Sequence, residues 1–242
     1  MQRTFKYEEM LPAEFQQAVE HMPVFILPTG LLEWHGDHLP LGQDTLKAYG
    51  ICLETARKLG GGIVLPPHYW GRPGFSSYVG TLTFTEEALR PLFLEIFRQL
   101  EKVGGRVLLL VTGHYGSCQV DFVKAVAAEH NASGSRLTVL AQPEYEGVEV
   151  DGERPADHAG KWETSMFWHL YPDLTHMENF RPDPMDVPQY ENPPDYHYRE
   201  KPRWEWWQDL REVASPELGR RAVDAISDHL RDVVLAHLPK GG

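Results

Sequence analysis

Val107-Leu108-Leu109-Leu110-Val111, bounded by Gly104-Gly105 on one side and Thr112-Gly113 on the other, is the segment that most constrains how this chain folds. The run has no polar face, so as a strand it must be covered on both sides. Its neighbours supply the cover. Pro23 to Pro28 is a second apolar run, closed by the turn residues Thr29-Gly30, and Ile63-Val64-Leu65 is a third, closed by Pro66-Pro67. Leu137 to Leu140 reads as a fourth strand. Helical stretches lie between them. Thr45 to Leu59 carries Leu46, Tyr49, Leu53 and Ala56 at helical spacing and stops at Gly60-Gly61-Gly62. Thr85 with Glu86 and Glu87 opens a helix to about Val103. Further helices are expected from about Gln119 to His130 and from near Ala159 to about Leu170. A last one, from Ser215-Pro216-Glu217 to about His237, starts on an N-cap followed by proline. The alternation predicts an α/β fold, a single three-layer domain over residues 1–242 with a mostly parallel sheet flanked by helices. Such sheets bind ligands beyond the carboxyl ends of their strands.

Residues 171–207 break the pattern, with prolines at 172, 182, 184, 188, 193, 194 and 202 and the terminal cluster Trp204-Glu205-Trp206-Trp207. That is too aromatic for a disordered linker, so an ordered excursion is expected, serving as a lid or a subunit contact. Composition narrows the partners. The 35 acidic residues against 23 basic ones leave a net charge of −12. This argues against nucleic acid and against an anionic membrane surface. The start MQRTFKYEEMLPAEF has no apolar core of a secretory signal, and no apolar run approaches a membrane span. A cytoplasmic location follows as the expectation, with Cys52 and Cys118 as two buried thiols.

The chain holds 12 histidines, and three segments concentrate residues that ligate metals. The first runs from Glu33 to Asp44 as EWHGDHLPLGQD; Glu33 and His35 share a side in extended chain, and the loop folds Asp44 back. The second is Thr112-Gly113-His114-Tyr115-Gly116-Ser117, at the tip of the apolar strand. The third is Asp157-His158-Ala159-Gly160-Lys161-Trp162-Glu163-Thr164-Ser165. Each alone has an ordinary explanation: a solvated polar turn, a strand-end histidine bonded to backbone, an N-cap aspartate. Together Glu33, His35, Asp44, His114 and Glu163 offer three carboxylates and two imidazoles, enough for two divalent ions sharing a carboxylate. Zn, Mn and Fe all suit such an N/O set. His158, oriented by Asp157, remains for proton transfer.

These segments resemble the creatininase family, the creatinine amidohydrolases and their relatives. The family pattern G-S-x-E-Q-H-G-P-H-L-P-L-x-T-D stands here as Gly30-Leu31-Leu32-Glu33-Trp34-His35-Gly36-Asp37-His38-Leu39-Pro40-Leu41-Gly42-Gln43-Asp44. The N-G-H-x-x-N segment stands as Thr112 to Ser117, and H-A-G-x-x-E-T-S is matched fully by His158 to Ser165. Gly80-Thr81 and the ASPELGRR start of the last helix also fit. The resemblance implies a single α/β domain and hexameric assembly. It assigns Glu33, Asp44 and His114 to one metal ion and His35, Asp44 and Glu163 to the other, with His158 as acid/base. The implied activity is hydrolysis of an amide-type C–N bond in a small, cyclic molecule by metal-bound hydroxide. Relatives that deformylate, trim a cofactor precursor peptide or open a cyclic inosose ketone mark the alternative reactions, and a catalytically silent metal or small-molecule binding protein is a third reading.

The departures are specific. Trp34 replaces Gln, Asp37 replaces Pro, and Thr112 and Ser117 replace Asn. Gly116 stands where some creatinine-cleaving members carry glutamate, and residues 145–156 lack the tryptophans those members use. This points away from creatinine itself. Trp34, Tyr78, Tyr115 and Trp162, with Trp70, are candidate pocket walls, core packing being the ordinary role of each. For a phosphate-bearing substrate the cationic candidates are Arg72, Arg154 and Lys161.

Overall fold

The computed structural model describes residues 4–191 and 201–238. Four strands form one parallel sheet in the order β2-β1-β3-β4, with β1 at Val24–Thr29, β2 at Ile63–Val64, β3 at Val107–Thr112 and β4 at Thr138–Pro143. The helix α1 (Pro12–His21) precedes β1; between the strands run α2 (Gln43–Leu59), α3 (Glu86–Lys102) and α4 (Ser117–Ala132), and α5 (Lys161–Leu170) follows β4. The 171–207 stretch contains a two-stranded antiparallel pair, β5 (Met185–Asp186) and β6 (Arg203–Trp204). Pro193 and Pro194 lie outside the described residues. Short α6 (Leu210–Val213) leads to α7 (Pro216–His237).

All six residues of β1 and all six of β3 are buried, in keeping with their place at the centre of the sheet. Successive side chains point to opposite faces. Val24, Ile26, Val107, Leu109 and Val111 pack against α2, α5 and α7 through residues such as Ile51, Met166 and Ile226. Phe25, Leu27, Leu108 and Leu110 pack the other way against α3 and α4 through Phe93, Phe97 and Val123. The expected α/β arrangement of a parallel sheet between helix layers is therefore present.

Two boundaries matter for the site. The turn Pro40-Leu41-Gly42, closed by the Gln43 N–H on the Pro40 carbonyl at 3.0 Å, starts α2 two residues before the expected Thr45. Asp44 thus lies in the first helical turn, not in a loop. Likewise α4 starts at Ser117, not Gln119, so Cys118 falls on its exposed first turn. Of the two thiols expected to be buried, only Cys52 is. Among the described residues no helix is long and apolar enough to cross a membrane.

Candidate metal centre

The register aligns Thr29 with Thr112 and Thr112 with Pro143, so β1, β3 and β4 end at one level. The segments leaving these strands therefore meet above one edge of the sheet. After β1 the chain turns through Glu33 and His35; the Glu33 N–H bonds the Leu41 carbonyl at 2.8 Å and fixes this loop on itself. The first turn of α2 brings Asp44, the end of β3 brings His114, and the first turn of α5 brings Glu163. All five sequence-predicted ligands converge and are at most 4% exposed.

Their atoms sort into two sets. His114 Nδ1 lies 3.1 Å from Glu33 Oε2 and 3.2 Å from Asp44 Oδ2. His35 Nε2 lies 3.0 Å from Asp44 Oδ1 and 3.4 Å from Glu163 Oε2. Asp44 belongs to both, one oxygen to each. The donor set fits divalent cations. Ligands about 2.1 Å from an ion stand about 3.0–3.4 Å apart in tetrahedral or octahedral arrangement, which is the spacing here. Glu33 Oε2 and both Asp44 oxygens are buried and accept nothing from the backbone, their neighbours being imidazole nitrogens at 3.0–3.2 Å, and buried carboxylate oxygens are costly unless a positive charge compensates them. The field has the same sign. Burial would push His114 down, yet Glu33 and Asp44 outweigh it and bring it to about 10, so this nitrogen faces a site that attracts positive charge.

The tight approach needs Gly74. The backbone N–H of Phe75 reaches Glu33 Oε1 at 2.5 Å, and a Cβ at position 74 would stand 2.1 Å from that oxygen.

His158 borders the cluster. Its Nδ1 lies 3.8 Å from Glu33 Oε2, and its ring centroid 4.3 Å from that of His35. Its Nε2 lies 3.0 Å from the Trp34 carbonyl. A carbonyl only accepts, which assigns the proton to Nε2 and leaves Nδ1 bare. Burial, then the neighbouring His35, lower this histidine to about 4, so it is neutral at pH 7. The expected orientation of His158 by Asp157 is overturned. Asp157 accepts instead from the N–H groups of Trp162 and Glu163 at 2.9 and 3.1 Å, satisfying the orphan donors of the α5 start. The Trp34 carbonyl does the orienting.

Two further residues of the centre carry no signal in the sequence. Lys47, one turn after Asp44 on α2, is fully buried, as is Glu144 just beyond β4. Burial alone would lower the Lys47 ammonium; Glu144 and Glu163 outweigh it and hold it above its ordinary value. A lysine on an amphipathic helix ordinarily reads as solvated surface, so only tertiary convergence exposes this one.

Two cavities meet at Phe75, Ala156, Asp157 and His158. One, about 510 Å³, is lined by Asp44, His114, Glu163, Tyr115 and Cys118. The other, about 730 Å³, is walled by Trp162, Trp204, Trp206 and Trp207 and rimmed by Arg154 and Lys161. Tyr115 and Trp162 thus face cavities. Trp34 and Tyr78 line neither: they pack edge-on at 5.1 Å in an aromatic layer with Val187 behind His158, where their large apolar surface is buried. Trp70 packs on Phe84 and Arg72 donates to the Phe84 carbonyl. The tryptophans of the excursion are wall residues of a cavity beside His158.

A parallel α/β sheet whose strand ends gather three carboxylates and two imidazoles around one shared aspartate has the architecture of a metal-dependent hydrolase. The chain belongs to the creatininase family, whose model, described as creatinine amidohydrolase, matches residues 8–234. It is 27% identical over 175 residues to the creatinine amidohydrolase of Pseudomonas putida, covering 64% of this chain and 67% of that protein. It is 31% identical over 162 residues to the mycofactocin precursor peptide peptidase of Mycobacterium ulcerans, covering 63% and 60%. The 3-dehydro-scyllo-inosose hydrolase of Thermotoga maritima is 24% identical over 184 residues, covering 71% and 58%. The chain thus spans 58–67% of the length of these relatives. A solved structure of creatinine amidohydrolase (creatininase) superposes with a TM-score of 0.73 at 22% identity over 98% of this chain and 100% of the other, which establishes the shared fold. Solved creatininases include a manganese form and a Zn–Zn form of a mutant.

Proposed function

We propose that this chain is a divalent-metal-dependent hydrolase that cleaves an amide-type C–N bond of a small substrate. The carrying observation is the pair of ligand sets sharing Asp44, with the bare Nδ1 of His158 beside them. Glu33, Asp44 and His114 would hold one ion, and His35, Asp44 and Glu163 the other. When bound, divalent ions supply Lewis-acid polarisation of a carbonyl and acidify water for attack. The protein's own part is proton transfer. With its Nε2–H fixed on the Trp34 carbonyl, His158 takes a proton from the attacking water at Nδ1 and returns it to the departing nitrogen as the C–N bond breaks. Tyr115 and Trp162 would flank the substrate. The manganese and zinc forms of creatininase, and the amide-cleaving relatives, support this reading.

We further propose that the chain acts as one domain in a cytoplasmic homo-oligomer, a hexamer by family resemblance. Trp207, 97% exposed, offers a surface for association. Size-exclusion chromatography with light scattering reads the assembly directly.

The test of function is metal analysis followed by a screen against cyclic amides, lactams and formamides. Turnover that depends on a divalent ion is expected. His114→Ala, Asp44→Ala and Glu163→Ala should each abolish turnover and lower bound metal, and His158→Ala should cost about 10²–10⁴-fold in kcat with metal retained. Full activity in all three ligand variants overturns the assignment.

A further inference from the structure

We propose that Lys47 is a positioning residue for the metal centre: its ammonium engages Glu163 Oε1 and leaves Oε2 alone to ligate. The inference rests on the metal-site reading above. Lys47 is three residues after Asp44, so the first turns of α2 present the shared ligand and the lysine on one face. The ammonium has three N–H groups and three acceptors. Nζ lies 2.7 Å from Glu163 Oε1, 2.7 Å from the Tyr115 hydroxyl and 3.0 Å from Glu144 Oε1. The Tyr115 hydroxyl closes the circuit by donating to Glu144 Oε1 at 2.5 Å.

The two oxygens of Glu163 therefore have separate partners. Oε1 is held by Lys47, while Oε2 accepts the Ala159 N–H at 2.7 Å and faces His35 Nε2 at 3.4 Å. Lys47 thus biases the carboxylate to ligate through Oε2, whose second lone pair faces the His35 side, and holds Oε1 back from chelation. Glu144 supplies the compensating charge. Lys47 and Glu144 cancel, so the lysine sits beside three ligand carboxylates without reducing the negative charge available to two cations.

Stability does not account for the arrangement. A buried ion pair is commonly replaced by apolar residues at no loss, because desolvation offsets the Coulombic gain. What an apolar replacement could not supply is a donor on Glu163 Oε1.

The test titrates metal-free protein with Zn²⁺ and follows ion stoichiometry and affinity by calorimetry, with urea unfolding alongside. Lys47→Met/Glu144→Gln removes both charges together and leaves no lone buried ion. Glu144→Gln alone keeps the Lys47–Glu163 contact. Wild type is expected to bind two ions, Glu144→Gln, which leaves the Lys47 charge uncompensated, to weaken both together, and the double variant to keep one ion at wild-type affinity while the other weakens about 10–100-fold. A role in packing alone would weaken both ions together. In the double variant, unchanged affinities or equal weakening of both ions would overturn the proposal, as would a Glu144→Gln that reproduces the double variant. A Zn²⁺-loaded wild-type crystal structure gives an answer independent of any variant's folding: ligation through Glu163 Oε2 alone is expected, and ligation through Oε1 overturns it. A wild type that takes up no divalent ion overturns both this inference and the metal-site reading. Two bound ions with unchanged variant affinities overturn this one only.

Discussion

Gly74 shows how finely the centre is set at single residues. Besides crowding Glu33, a Cβ there would stand 2.4 Å from His114 Cε1. Both belong to the same proposed ligand set, so Gly74→Ala should reduce bound metal by about half while the urea midpoint of metal-free protein stays near wild type; full metal content would show that the loop yields. His68 carries a different prediction. It packs edge-on against Phe93 at 5.0 Å, and burial lowers it from 6.5 to about 4. As pH falls below 6.5 the unfolded chain takes up a proton that the folded chain refuses, and the difference grows until about pH 4. His68 therefore withdraws stability across that window. Between pH 7 and 5 wild type should lose ~1–2 kcal/mol more than His68→Phe by urea unfolding; parallel curves would show that this ring titrates normally.

At the scale of elements, α7 starts on a double anchor. The Ser215 hydroxyl accepts the Leu218 N–H at 3.1 Å, while its own N–H donates to Ser165 Oγ on α5, also at 3.1 Å. Ser215→Ala should cost about 1 kcal/mol in unfolding free energy through the lost cap, with metal affinity unchanged. The helix was legible because cap, proline and acid are local signals. So were the apolar runs of β1 and β3 and the Gly60 stop, where φ is +71°. The helix α1 was not legible, nor were the exact starts of α2 and α4, since these depend on turns whose packing lies elsewhere. The five ligands stood out because carboxylate and imidazole cluster within short segments. Lys47 and Glu144 did not, because a buried lysine differs from a solvated one only through residues about 100 positions away. The Trp34 carbonyl was equally invisible, since every residue has a carbonyl and only the fold selects one.

For the whole molecule, the net charge of −12 includes three ligand carboxylates that two cations would neutralise. Ions that bind only the folded chain stabilise it by mass action, ~2.7 kcal/mol at a hundredfold excess over Kd. Treatment with a chelator should therefore lower the thermal midpoint, and Zn²⁺ or Mn²⁺ should restore it; an indifferent midpoint would mean no ion is held.

The ligands come from positions 33, 35, 44, 114 and 163, carried by four separate parts of the sheet and its helices. A chain that has joined β1 to α2 but has not yet docked β3 and α5 owns only three of the five. Loading must then come late in folding, after the long loops have closed. Ions held there would act as a latch on the finished topology, slowing its unfolding while offering little to intermediates, so metal supply during synthesis would govern how long each molecule survives more than how fast it forms.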